Sequence, residues 1–156
     1  MPEPLNLSQS VNIAAPPEKV WDLVADVTRM GDWSPETTAA EWLGSASGPA
    51  VGVKFKGHNK KGWMRWTTTC EVTAADRGRE FRFLRISRID DGTEWSYTMQ
   101  AEGDGTILTE SARQRRLPGG AARIAGRLTF GTDRDAQVQR AMQTTIERIK
   151  AAAEAD

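Results

Sequence analysis

The chain has 156 residues, enough for one domain with a single hydrophobic core. Lysines plus arginines equal aspartates plus glutamates at 21 each, so no overall field draws nucleic acid or an anionic membrane to the protein. One cysteine excludes an internal disulfide, the start MPEPLNLSQS lacks the marks of a secretory signal, and no stretch approaches the ~20 apolar residues of a membrane span, so a cytoplasmic protein without nucleic-acid partner or membrane span is expected.

Residues Leu5 to Ala14 alternate, with Leu5, Leu7, Val11 and Ile13 on one side and Asn6, Ser8, Ser10 and Asn12 on the other, and predict a half-buried first strand. Pro16 and Pro17 end it and open a helix, in which Glu18 suits the positive end of the dipole and Val20, Leu23, Val24 and Val27 form an apolar stripe. Thr28 is a candidate cap for a second short helix carrying Met30 and Trp33, which Ser34-Pro35 terminates. A strand from Thr37 to Leu43 carries Trp42 and leads into the turn-forming loop Gly44 to Pro49.

From Val53 to Asn59 the positions Val53, Phe55, Gly57 and Asn59 share one face, and Lys54, Lys56 and His58 the other. After a turn at Lys60-Lys61-Gly62, the longest strand runs from Trp63 to Ala74. Its expected inner set is Met64, Trp66, Thr68, Cys70, Val72 and Ala74, because Arg65 and Glu71 belong to the other set; Trp63 falls outside by parity. Asp76-Arg77-Gly78 turns into Glu80 to Ile86, where Phe81 and Phe83 alternate with Arg82 and Leu84. Asp90-Asp91-Gly92 signals a hairpin into a strand with Trp95, Tyr97, Met99 and Ala101 on one face.

Thr106 to Arg115 is the seventh strand. Putting Leu108, Glu110 and Ala112 inside keeps Arg113 in water, although a slip of one residue would turn each of them to solvent. Leu117-Pro118-Gly119-Gly120 breaks this strand, and Ala121 to Phe130 reads as a short helix or turn. The last long helix, Arg134 to Ala153, has Val138, Met142, Ile146 and Ile149 on one stripe and charged residues around the rest. There is no internal repeat and no linker, so residues 1–156 form one domain.

Inside this arrangement the polar groups are few. Glu110 has Trp95, Tyr97 and Met99 on the neighbouring strand, and desolvation there would raise its pKa into the range of a proton donor or acceptor, against the alternative of a structurally paired carboxylate. Asn59, Thr68, Cys70 and Tyr97 are also assigned inward, where they either fix a ligand's polar group or bond the backbone and one another. Trp33, Trp42, Trp66, Phe83, Trp95, Met99 and Met142 supply large apolar surface for a pocket wall or for the core itself. His58, the only histidine, falls on the outer face, and with neither a second histidine nor a cysteine pair no metal site is expected. Arg113, Arg115, Arg116, Arg123 and Arg127 make a local basic cluster, read as a solvated strand end or as a greeting for an acidic ligand. No phosphate-binding glycine loop or nucleophile elbow is present, and no cofactor is expected.

The element order, with IAAPPEKVWDLVADVTRMGDWSP, FKGHNKKG, RWTTTCEVTAADRGREF and TTIERIKAAAE, resembles the START-like helix-grip (SRPBCC) superfamily, and most of all its bacterial polyketide cyclase/dehydrase and lipid-transport families. The resemblance runs from Leu7 to Glu154. It implies an α+β helix-grip fold: a curved, seven-stranded antiparallel sheet wrapped around the long C-terminal helix, with two short helices after strand 1 and an elongated cavity between. It leaves three functions open. The first is a binder of a small hydrophobic ligand (lipid, polyketide or aromatic metabolite), monomeric or homodimeric. The second is a polyketide cyclase or dehydratase moving protons through Glu110 and Tyr97. The third is a protein-binding regulator working through a surface such as that around Trp63.

Overall fold

A computed structural model describes residues 5–87, 92–114 and 134–155. Asp90 and Asp91 of the expected hairpin turn, the break at 117–120, the short helix or turn at 121–130, and Arg115, Arg116, Arg123 and Arg127 lie outside the described residues. Seven strands, β1 (Asn6–Ile13), β2 (Thr37–Trp42), β3 (Lys54–Lys61), β4 (Met64–Asp76), β5 (Glu80–Ile86), β6 (Thr93–Glu102) and β7 (Gly105–Gln114), form one curved antiparallel sheet in the order β1-β7-β6-β5-β4-β3-β2. Helices α1 (Pro17–Ala25) and α2 (Met30–Trp33) connect its two edges, and α3 (Arg134–Glu154) packs along β1 against α1 and α2. This is an α+β helix-grip fold.

Local chemistry accounts for the connection between the edges. Pro17 opens α1, where its missing N–H costs nothing, and the helix stops at Asp26. Asp26, not the expected Thr28, is the cap of the following 3-10 turn (Val27–Arg29): its carboxylate accepts from both the backbone N–H and the hydroxyl of Thr28. A carboxylate is the stronger acceptor, so the threonine becomes a donor. Gly31 lets α2 lie against β2, since a Cβ there would sit 2.2 Å from the carbonyl oxygen of Thr38.

The core lies between α1, α3 and the concave face of the sheet. Val20, Val27, Phe55, Val72, Phe81, Leu108, Ile146 and Ile149 are each no more than 1 % exposed. A second cluster, Leu5, Ala112, Val138 and Met142, sits under the first half of α3, and the partly open Trp95 packs against both. The Trp21 indole N–H donates to the carbonyl of Glu80 at 2.9 Å and fixes α1 on the start of β5. At the far end of α3, Lys150 donates to the carbonyl of Asn12 and the backbone N–H of Ala14 donates to Glu154, so the helix is pinned to β1. One expectation fails in β4. A bulge between Val72 and Ala74 shifts the register, Ala74 comes opposite Arg82 on the outer face, and Ala75 packs on the core opposite Phe81. Among the described residues no helix is long and apolar enough to cross a membrane.

Candidate functional site

Side chains on the concave face stand in cross-strand rows, because strand partners in register point to the same side. One row runs Met99, Leu108, Val11. The next runs Ala75, Phe81, Tyr97, Glu110, Gln9; then come Val72, Phe83, Trp95, Ala112, Leu7; then Phe55, Cys70, Arg85, Thr93, Gln114. Beyond these, β3 and β4 bring Asn59 opposite Trp66 and Gly57 opposite Thr68.

Tyr97 and Glu110 are therefore direct neighbours. Glu110 is 2 % exposed, and its Oε1 has no hydrogen-bond partner among the described residues. Burial pushes its carboxyl up to about 8, only partly offset by hydrogen bonding from the Tyr97 phenol. Burial likewise raises the Tyr97 phenol, and the Glu110 charge adds to that. At neutral pH both groups hold their protons. A protonated carboxylic acid offers one donor and an acceptor oxygen, and it can release its proton near pH 8.

The other expected residues fall into two groups. Trp95 and Phe83 face each other one row from Tyr97, and Met142 of α3 belongs to the second cluster, against which Trp95 packs. Phe55 sits edge-on to both Trp42 and Phe83, with ring centroids 5.8 and 5.1 Å apart, so an aromatic band crosses the sheet from β2 to β5. Asn59 accepts from the Thr37 hydroxyl at 2.8 Å and donates to Thr68 at 3.3 Å, which occupies its amide with internal bonds. Trp33 and Met99 stand apart. Trp33 is 4 % exposed, beneath the Arg29 guanidinium at 4.8 Å, with its carbonyl accepting from Arg148. Met99 lies on the side of Tyr97 away from Trp95 and is buried in the core.

Cys70 is buried, and desolvation pushes its thiol up to about 12. A thiol reagent at pH 8 should therefore leave Cys70 untouched in the native protein and modify one equivalent once denaturant is added; rapid native reaction, read as released chromophore, would contradict this burial. His58 is on the outer face, where its Nε2 lies 3.0 Å from Glu41.

Sequence reasoning passed over several inward polar residues, Thr93, Thr106 and Gln114 among them, and two bear on the site. Gln9 stands opposite Glu110, half-buried, and Arg85 stands between Cys70 and Thr93, donating to the Thr93 hydroxyl at 3.2 Å. Parity alone would have found both: Gln9 follows Leu7, and Arg85 follows Phe83. A cleft of about 530 Å³ also opens between the β3–β4 hairpin and the first half of α3, against Thr38, Lys60, Lys61, Gln137 and Arg140. It contains none of the residues expected at the site. Glu36 takes a two-pronged bond from Arg134 beside it, both prongs at 3.1 Å, and Lys61 bonds Gln137.

Known proteins share this arrangement. The family model for polyketide cyclase / dehydrase and lipid transport matches residues 4–154. Over 99% of its length the chain is 32% identical to the polyketide cyclase-like protein Cgl2372 of Corynebacterium glutamicum, covering 91% of that chain with a TM-score of 0.61. The fold is also that of the Zhui aromatase/cyclase of Streptomyces sp. R1128, at 19% identity and TM-score 0.73 over 96% of this chain and 93% of that one. It matches the di-domain ARO/CYC StfQ of the steffimycin biosynthetic pathway too, at 12% and 0.76 over 97% of this chain and 51% of that one. No curated protein matches the sequence.

Proposed function

The chain belongs to the polyketide cyclase / dehydrase and lipid transport family, and from that premise we propose that it binds a small hydrophobic molecule, of lipid, polyketide or aromatic type, between α3 and the concave face of the sheet. The observation that carries this reading is the Glu110 Oε1, buried without a hydrogen-bond partner among the described residues. A polar atom left so costs about 1–3 kcal/mol, which a ligand hydroxyl or carbonyl would recover. Trp66, Trp95, Phe83 and Met142 supply the apolar wall in this reading, and Tyr97 and Glu110 orient the polar end.

A second reading, supported by the raised Glu110 carboxyl, is catalysis. An acid still protonated at neutral pH can hand its proton to a carbonyl or a departing hydroxyl and regain one from a neighbouring carbon, the proton traffic of cyclisation and dehydration. Undiminished turnover of a poly-ketone substrate by Glu110→Gln would exclude that role.

The binding reading is tested by native mass spectrometry of the freshly purified protein beside its denatured mass, followed by titration with the neutral fluorophore N-phenyl-1-naphthylamine. A non-covalent adduct, or one saturable probe site, is the expected result. No adduct and no saturable probe binding would overturn it.

A further inference from the structure

Trp63 is 91% exposed at the tip of the β3–β4 hairpin. Lys61 pairs with Met64, so Gly62 and Trp63 alone make the turn, and Gly62 takes φ +60° as the first residue of a two-residue hairpin loop. Such a turn is short and stiff, and it holds the indole out from the sheet. Open space surrounds the Cα of Gly62.

The charges around the ring are one-sided. The run Lys60-Lys61-Gly62-Trp63-Met64-Arg65 contains three cations and no acid. Lys60 and Arg65, both exposed, stand directly opposite each other across the strands. Like charges in that position destabilise a hairpin, as an exposed tryptophan wastes apolar surface. Among the described residues, Glu36 pairs with Arg134 and Glu41 with His58, and Lys61 is held by Gln137. Two unfavourable choices at one tip are both relieved by the same surroundings: an apolar layer for the indole, with anions at the level of Lys60 and Arg65.

We propose that this hairpin tip docks the protein on an anionic phospholipid surface, with the Trp63 indole in the headgroup layer and Lys60 and Arg65 against lipid phosphates. Tryptophan concentrates at the bilayer interface because its ring is apolar and its N–H needs a polar partner. A bilayer needs no more than such an anchor and a pair of cations, whereas a stable protein interface buries about 800 Å² on each partner, more than one ring and two side chains offer. The net charge of zero does not oppose this, since screening confines the interaction to the nearest ~10 Å. The proposal does not depend on what the concave face binds.

Vesicle flotation tests it. Vesicles of 30% phosphatidylglycerol in phosphatidylcholine should retain the protein at least ten-fold better than pure phosphatidylcholine, and 0.5 M salt should remove the difference. Trp63→Ala should lower retention about ten-fold without moving the melting temperature. Lys60→Glu should restore an opposite-charge pair with Arg65, so it should keep or raise thermal stability while retention falls ten-fold or more. That split separates docking from a structural role. Equal retention on both vesicle types, or full retention by Trp63→Ala, would overturn the proposal. So would a dimer that Trp63→Ala dissociates while vesicles bind neither form.

Discussion

Glu110→Gln should melt higher than the parent protein at pH 7 and should lose the part of the parent's pH dependence that Glu110 contributes. The carboxyl titrates at its ordinary value of 4.5 in the unfolded chain and at about 8 in the folded one. Below pH 4.5 both states hold the proton and Glu110 contributes no pH dependence. As pH rises past that point the unfolded state releases its proton and the folded state does not, so stability falls by about 1.4 kcal/mol per pH unit until the folded group ionises near pH 8. At pH 7 the accumulated penalty is on the order of 3 kcal/mol, which glutamine avoids because it carries no charge in either state. For a chain of this size that corresponds to roughly 10 °C in melting temperature. Melting curves of both proteins at half-unit steps from pH 4.5 to 8.5 isolate the effect, since every other titrating group cancels in the difference. A difference that stays flat across that window would mean that Glu110 ionises at an ordinary pH, and the neutral-acid picture of the site would fall with it. If the variant is more stable and also fails to bind or turn over ligand, the destabilising acid is explained by its use.

Much of this arrangement was legible in the sequence, for identifiable reasons. The seven strands could be read because turn formers punctuate an alternation of period two, and Glu110 could be turned inward because the opposite choice would have buried Arg113. The same rule, charge points outward, concealed Arg85, and a preference for obvious apolar stripes concealed Gln9. Both stand on the inner face simply because strand geometry gives them no alternative. The bulge after Val72 was not legible, since an extra residue leaves no local mark when Thr73, Ala74 and Ala75 are all small. Nor was the exchange of caps between Thr28 and Asp26, where two good capping residues stand two apart and only the backbone angles decide. The cleft beside α3 needed the tertiary structure, because Lys61 and Gln137 are 76 residues apart. Trp33 shows the limit of composition: pocket wall and core were both open to it, and it is buried in the core.

Core and wall can be told apart by two substitutions one row from each other on the concave face. Phe81 is fully buried, 6.4 Å edge-on from Trp21 and 5.8 Å from Phe83, so Phe81→Ala leaves a cavity that nothing nearby can fill. Such a deletion typically costs about 3–5 kcal/mol, a large part of the stability of a domain this size. Trp95 is the larger ring, yet it stays partly open while touching both core clusters. If its free face is a ligand surface, Trp95→Ala should destabilise the apo protein less than Phe81→Ala does, while weakening N-phenyl-1-naphthylamine binding at least ten-fold. Urea unfolding with and without the probe measures both quantities. In the parent, saturating probe should raise the midpoint, and in Trp95→Ala that shift should vanish. Phe81→Ala should keep the shift wherever it still folds, because Phe81 is fully buried against Trp21 and Phe83 and has no open face to offer a ligand. The reverse ranking, with Trp95→Ala the more damaging to the apo fold and neutral to the probe, would make Trp95 a core residue and move the binding surface off the concave face.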